Sequence, residues 1–189
     1  MNSRSLKIPW GKKDRRLRLV PAAEPALEQG PSRKPVCMLT YCIFKVTLLS
    51  QGGRTLRQRP RVKIQIAGRK SLYGFARFIV ESFGFLFDHC FAFYDNFERP
   101  ELSKRAYELF VDIGEMPVAP NAVGVKKTRI DRALRKPGDR MLFKFDYGQD
   151  WRFAVELLEI TRAKEWDLKP VVLERTDRPP IQYPPEEER

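Results

Sequence analysis

The sequence predicts an α+β fold: one domain, a mostly antiparallel sheet packed against two or three helices, preceded by a flexible basic arm. Three observations lead there. Apolar residues alternate with polar ones at Phe44, Val46 and Leu48 and again at Val62, Ile64 and Ile66, the period of a half-buried strand. Between Leu72 and Phe83 the apolar positions recur instead at helical spacing. The chain has 189 residues, 42% of them hydrophobic and 12% aromatic, enough bulky side chains to fill a core without disulfide or metal staples.

Residues 1–35 combine Lys12, Lys13, Arg15, Arg16 and Arg18 with Pro21, Pro25, Gly30, Pro31 and Pro35. No hydrophobic period survives that punctuation, so a flexible arm is expected. The strand over Cys42–Leu48 follows, with Lys45 and Thr47 on its polar face. After a connection containing Gly52 and Gly53, a second strand alternates Val62, Ile64 and Ile66 with Arg61, Lys63 and Gln65, and Pro60 suits its first position. Ser71 is placed to cap the helix bearing Leu72, Phe75, Ala76, Ile79 and Phe83, and Gly84 to stop it. A third strand is expected from His89 to Tyr94, where His89, Phe91 and Phe93 alternate with Cys90, Ala92 and Tyr94, ending at Asp95-Asn96.

Pro100 opens a segment in which Leu102, Ala106, Leu109, Phe110 and Ile113 have helical spacing, so a second helix is expected up to Gly114. Thr128 and Asp131 resemble a capping box ahead of a short helix through Leu134. Phe143, Phe145 and Tyr147 then face Trp151, Phe153 and Val155 across a three-residue Gly148–Asp150 loop, which sets Asp146 opposite Arg152 and Phe145 opposite Phe153. Beyond Ile160 the chain turns polar and Pro-rich. The expected organisation is an arm over 1–35, a domain over 36–175 and an extended Pro/Glu-rich tail over 176–189.

The run from Gly138 to Trp151, GDRMLFKFDYGQDW, resembles the signature of the plasmid pRiA4b ORF-3-like family, in which an aromatic strand, an Asp-aromatic-Gly-Asp turn and a Trp follow one another. Arg59-Pro60, Gly84-Phe85, Asp88-His89 through Phe93, and Pro184 to Glu187 occur in the same order as the family's other landmarks. The resemblance covers about residues 42 to 187. It implies a compact α+β domain of plasmids and mobile elements, sometimes described as a transposon passenger protein, and carries no activity with it. The sequence has Phe85 where the family usually has Trp, and Phe91 and Phe153 where it often has His, so no histidine chemistry transfers to those positions.

Charge is the strongest functional signal. Residues 1–70 hold seventeen Lys or Arg against three Asp or Glu, whereas residues 71–189 hold nineteen against twenty-one. Such polarisation suits a polyanion, because clustered cations release the counterions of phosphates. If the first two strands pair, Lys45, Arg61 and Lys63 share a face, with Arg54, Arg57 and Arg59 in the connection and Arg69 and Lys70 after it. These eight residues are the candidate nucleic-acid-binding set. A non-enzymatic nucleic-acid-associated accessory protein is therefore expected, its partner DNA or RNA. The alternative is an adaptor whose basic face docks an acidic protein.

A weaker alternative, a metal-dependent phosphodiesterase, would gather Asp146, Asp150, Glu186 and Glu187 around a hard cation. Asp146 paired with Arg152, and Asp150 closing a turn, explain two of these acids more simply. His89, the single histidine, has no identified nucleophile beside it, and Trp151 with Tyr147 reads as cross-strand packing before base stacking. No cofactor or metal is expected. Cys37, Cys42 and Cys90 lack the spacing of a zinc ribbon, and Cys37 and Cys42 would face opposite sides of a strand, so reduced core thiols in the cytoplasm are expected. The apolar stretch Val36–Leu49 is too short and too interrupted to span a bilayer, and the basic start lacks the apolar core of a secretory signal.

Overall fold

A computed structural model describes residues 39–162 and 169–183. The expected arm over 1–35, Cys37 and the stretch Pro184–Glu187 lie outside the described residues. Every described residue falls in the unit Cys37–Arg189.

The alternating segments form the centre of one mixed sheet. Strand β1, Thr40–Gln51, pairs antiparallel with β3, Arg61–Ala67, through Phe44↔Ile64 and Val46↔Val62. Between them Gly52 and Gly53, at φ 56° and 76°, make the two-residue turn that a right-twisted hairpin favours and begin the short strand β2, Arg54–Thr55. On its other side β1 pairs with β8, Trp151–Arg162, which pairs with β7, Arg140–Phe145. Outward from β7 lie β4, Phe91–Tyr94, then β5, Ala106–Glu108, then β6, Val123–Gly124.

One face of this sheet carries Phe44, Val46, Leu48, Val62, Ile64, Phe91, Phe93, Phe143, Phe145, Phe153 and Val155, all buried. Helix α1, Leu72–Ser82, lies on it with Leu72, Phe75, Ala76, Ile79 and Val80. Ser71 caps α1 by accepting the Gly74 N–H at 3.2 Å, and Gly84, at φ 78°, lets the chain leave the helix. The core is largely aromatic: Phe75 stacks on Phe93 at 5.8 Å and meets Phe44 at 4.6 Å. Each such ring contributes about 1.5–3 kcal/mol on burial.

The other face is only half covered. Over β4, β5 and β7 a smaller cluster forms from Ala92, Tyr94, Ala106, Ala119 and Leu142, with Phe97 and Ala122 packed on it. Over β8, β1, β3 and the edge strand β9, Val171–Thr176, the face is partly exposed: Lys45, Thr47, Lys63 and Gln65 are half-buried and Leu158 is exposed.

Four expectations need correction. The second helix dissolves into a 3₁₀ turn at Pro100–Leu102, strand β5, and helix α2 over Leu109–Ile113 only. Pairing with β4 wins over helical spacing there, because Glu108 is fully buried and its carboxylate accepts the Val118 and Ala119 N–H groups at 2.8 Å each. Leu102 and Ile113, read as part of an apolar stripe, are exposed. The short helix exists as α3, Ile130–Ala133, but Arg129 is its N-cap without a side-chain bond. Thr128 bonds the Gly124 carbonyl instead of closing a capping box.

In the β7–β8 hairpin the register is Phe145↔Trp151 and Phe143↔Phe153 across residues 146–150, so Tyr147 belongs to the turn. Parity survived because a five-residue loop and a three-residue loop keep the same faces inward. Strand β9 is the last difference. Its pairing with β3 carries a register shift between Lys63 and Ile64, which breaks the two-residue period a strand would otherwise show.

Candidate nucleic-acid interface

The expected basic residues fall into three groups. In the middle of the open sheet face the register sets Lys45 opposite Lys63. Like charges opposite each other repel, and the neighbouring strands answer with acids: Glu156 lies opposite Lys45 on β8 and Glu174 opposite Lys63 on β9. Lys45 Nζ sits 2.6 Å from Glu156. The row across the face therefore reads acid, base, base, acid, and a phosphate approaching it meets little net charge.

The second group sits at the end of the sheet where β1 leaves and β3 enters. Pro60, buried, fixes this connection by accepting the Leu48 N–H at 2.9 Å, while Leu56 donates to the Leu49 carbonyl at 3.0 Å. Arg54, Arg57 and Arg59 project from it exposed, and none has an ion pair among the described residues. Arg61, at the first position of β3, donates through Nε to Thr176 Oγ1 at 3.2 Å. Arg178, which the sequence reading passed over, joins them: a groove of about 400 Å³ is lined by Leu56, Arg57, Gln58, Pro60, Arg178 and Pro180. Recognising it depended on seeing β9, because only the pairing of β9 with β3 returns residues 177–180 to this end.

Arg69 and Lys70 form the third group. They are exposed in the turn after Ala67, and β3 spans about 20 Å at ~3.3 Å per residue. They therefore lie at the opposite end of the sheet from Arg54–Arg61.

Beside the arginines is the β7–β8 turn, tied to the β1–β2 hairpin by the Gly52 N–H donating to the Gln149 carbonyl at 2.8 Å. Asp146 and Asp150 both have positive φ, 54° and 48°, a conformation that Asp tolerates when its side chain bonds locally. Asp146 is buried and its Oδ1 accepts the Gly148 and Gln149 N–H groups at 3.0 and 3.1 Å. The expected Asp146–Arg152 pair does not form. Arg152 pairs with Asp150 at 3.0 Å, and Lys144, its cross-strand neighbour, reaches the same carboxylate at 2.8 Å. Desolvation pushes the Asp150 carboxyl up, but the bonds from Arg152 and Lys144 prevail and hold it below the usual carboxylate range.

Those partners occupy the two aspartates that a metal site would need. Among the described residues no group of three or more His, Cys, Asp or Glu is arranged to hold a metal ion. Trp151 is fully buried against Phe85 at 4.8 Å, and the Tyr147 hydroxyl bonds that of Tyr94 at 2.8 Å. Neither ring is presented for stacking.

Sequence reasoning missed one further cluster. His89 Nδ1 lies 2.8 Å from Asp88 Oδ1, 3.1 Å from the Tyr183 hydroxyl and 3.8 Å from Asp146 Oδ2. Its hydrogen bond to Asp88 outweighs desolvation and, with the charges of Asp146 and Asp88, raises the imidazole above its ordinary value. Gln182 anchors the same segment, accepting the Leu86 N–H at 2.6 Å and donating to the Leu86 carbonyl at 3.2 Å. This contact joins residues about a hundred positions apart, and no local spacing announces it.

The family model for plasmid pRiA4b ORF-3-like protein matches residues 42–184. Among solved structures, the crystal structure of MM3350, a protein of unknown function from Methanosarcina mazei Go1, is similar with a TM-score of 0.57 and 15% identity. That likeness covers 73% of this chain and 70% of MM3350 and concerns the fold. No curated protein matches. No helix among the described residues is long and apolar enough to cross a membrane.

Proposed function

Since the chain belongs to the plasmid pRiA4b ORF-3-like family, we propose that it is a nucleic-acid-associated accessory protein of plasmid or mobile-element type, binding phosphate backbone through its arginine-bearing end. The observation that carries this reading is the set Arg54, Arg57, Arg59 and Arg178, exposed at one end of the sheet and without ion pairs among the described residues. Unpaired guanidinium groups are suited to phosphate oxygens, which they bind in a planar fork. The cations of residues 1–35 would add to the same electrostatic attraction. No base-reading constellation accompanies them among the described residues, so the binding proposed is mainly electrostatic and weakly selective for sequence.

The test is a mobility-shift assay with random-sequence DNA and RNA at low salt, repeated with competitor polyglutamate. Retarded nucleic acid that polyglutamate displaces only at large excess supports the reading. Failure to bind either nucleic acid at low salt overturns it.

One feature favours the adaptor reading for a different surface. A groove of about 260 Å³ on the open sheet face is lined by Lys45, Arg61, Lys63, Leu158, Glu174 and Thr176, and Leu173 is exposed on β9. A face of mixed charge bearing the exposed Leu158 suits a protein partner better than a polyphosphate.

A further inference from the structure

Two walls of different origin flank an open groove of about 400 Å³ at the arginine-bearing end: Arg57 and Gln58 come from the β1–β3 connection, Arg178 from the segment after β9. Leu56, Pro60 and Pro180 supply its apolar lining. The volume falls within the ~300–1,000 Å³ of small-molecule sites. A phosphate gains nothing from leucine and proline surface, whereas the flat face of a nucleobase does.

Resting on the nucleic-acid reading above, we infer that this groove takes an unstacked base together with its phosphate, so that single-stranded segments are its ligand. In a duplex the base faces are hidden in the stack, and only edges and phosphates are offered. A single strand exposes those faces, and guanidinium planes stack on them as well as neutralising the adjoining phosphate. Arg57 and Arg178 supply both functions here, with Gln58 as a hydrogen-bonding side chain in the same lining.

The second wall is held in place before any ligand arrives. Arg175 donates to the Ser82 carbonyl at the end of α1, Gln182 clasps both backbone groups of Leu86, and Tyr183 bonds Asp88. Pro179 and Pro180 between these anchors restrict the backbone further. A preformed wall avoids the entropy of ordering it on binding. The open-face groove lacks this character because Glu174 lines it and repels phosphate.

The test measures fluorescence anisotropy of the whole protein with a labelled oligothymidylate and with an abasic strand of the same length, at equal salt. Both probes carry the same phosphates, so their difference reports the base. The oligothymidylate is expected to bind about tenfold more tightly, the effect of one stacked base, and Arg178→Ala is expected to shrink that ratio towards one. Equal affinity of the wild-type protein for the two strands overturns the inference and leaves the backbone-binding reading standing. Binding of neither strand at low salt overturns the inference, and the mobility-shift assay with random-sequence DNA and RNA then decides the backbone-binding reading.

Discussion

Two neighbouring loops at one end of the sheet carry charge to opposite ends. The β7–β8 turn spends its carboxylates internally: Asp146 on the Gly148 and Gln149 amides, Asp150 on Lys144 and Arg152. The β1–β3 connection leaves Arg54, Arg57 and Arg59 facing water without ion pairs among the described residues. Charge density in the sequence is similar in kind for both. What separates a structural charge from one available to a ligand is whether the strand register brings it a partner.

The largest effect should come from breaking the exposed side of that contrast. Replacing Arg54, Arg57 and Arg59 together by Ala is expected to weaken binding to random-sequence DNA on the order of a hundredfold at low salt, the salt slope falling by about three. The urea midpoint should stay within error, since these side chains make no ion pair among the described residues. A parallel loss of stability would show that the connection was structural.

Breaking the structural side should do the reverse. Asp146→Ala leaves two turn amides without their acceptor and is expected to cost about 1–3 kcal/mol in urea unfolding, with little change in DNA affinity. The paired Lys45→Ala and Lys63→Ala variants should behave like neither, because Glu156 and Glu174 lie opposite these lysines on the neighbouring strands. Their DNA affinity should fall less than about fivefold, the scale of exposed ion pairs.

The smallest effect concerns His89. Its folded-state value is raised by Asp88 and Asp146, so the stabilisation it brings is full below the unfolded value near ~6.5 and is lost as pH rises through the folded value. Thermal midpoints of wild type and His89→Gln should therefore differ most on the acid side of neutrality, above the range in which Asp88 protonates, and converge at alkaline pH. A constant difference across that window would show that His89 titration does not contribute to stability.

The parts legible in the sequence were those in which side-chain period and backbone need agreed. Val62, Ile64 and Ile66, Ser71 with Gly84, and the aromatic residues on either side of the β7–β8 turn all combined a period with a recognisable boundary. Where tertiary pairing overrode the local pattern, reading failed. Ala106–Glu108 had helical spacing but was claimed by β4, and Val171–Thr176 lost its alternation to a bulge against β3. The site divided the same way. Arg54, Arg57 and Arg59 lie together because they are close in the chain, whereas Arg178 reaches them through β9 and Arg69 with Lys70 is carried away by the length of β3. The acids opposite Lys45 and Lys63 depended on strand order across the sheet, which periodicity within a strand does not encode.

If the arginines at this sheet end, which have no ion pair among the described residues, bind phosphates, a salt titration of affinity for random-sequence DNA reads that contact. Contact with about six phosphates gives a slope of log affinity against log salt near −5, reduced in the Arg54, Arg57 and Arg59 variant. A flat dependence, or an equal slope in the variant, would contradict it.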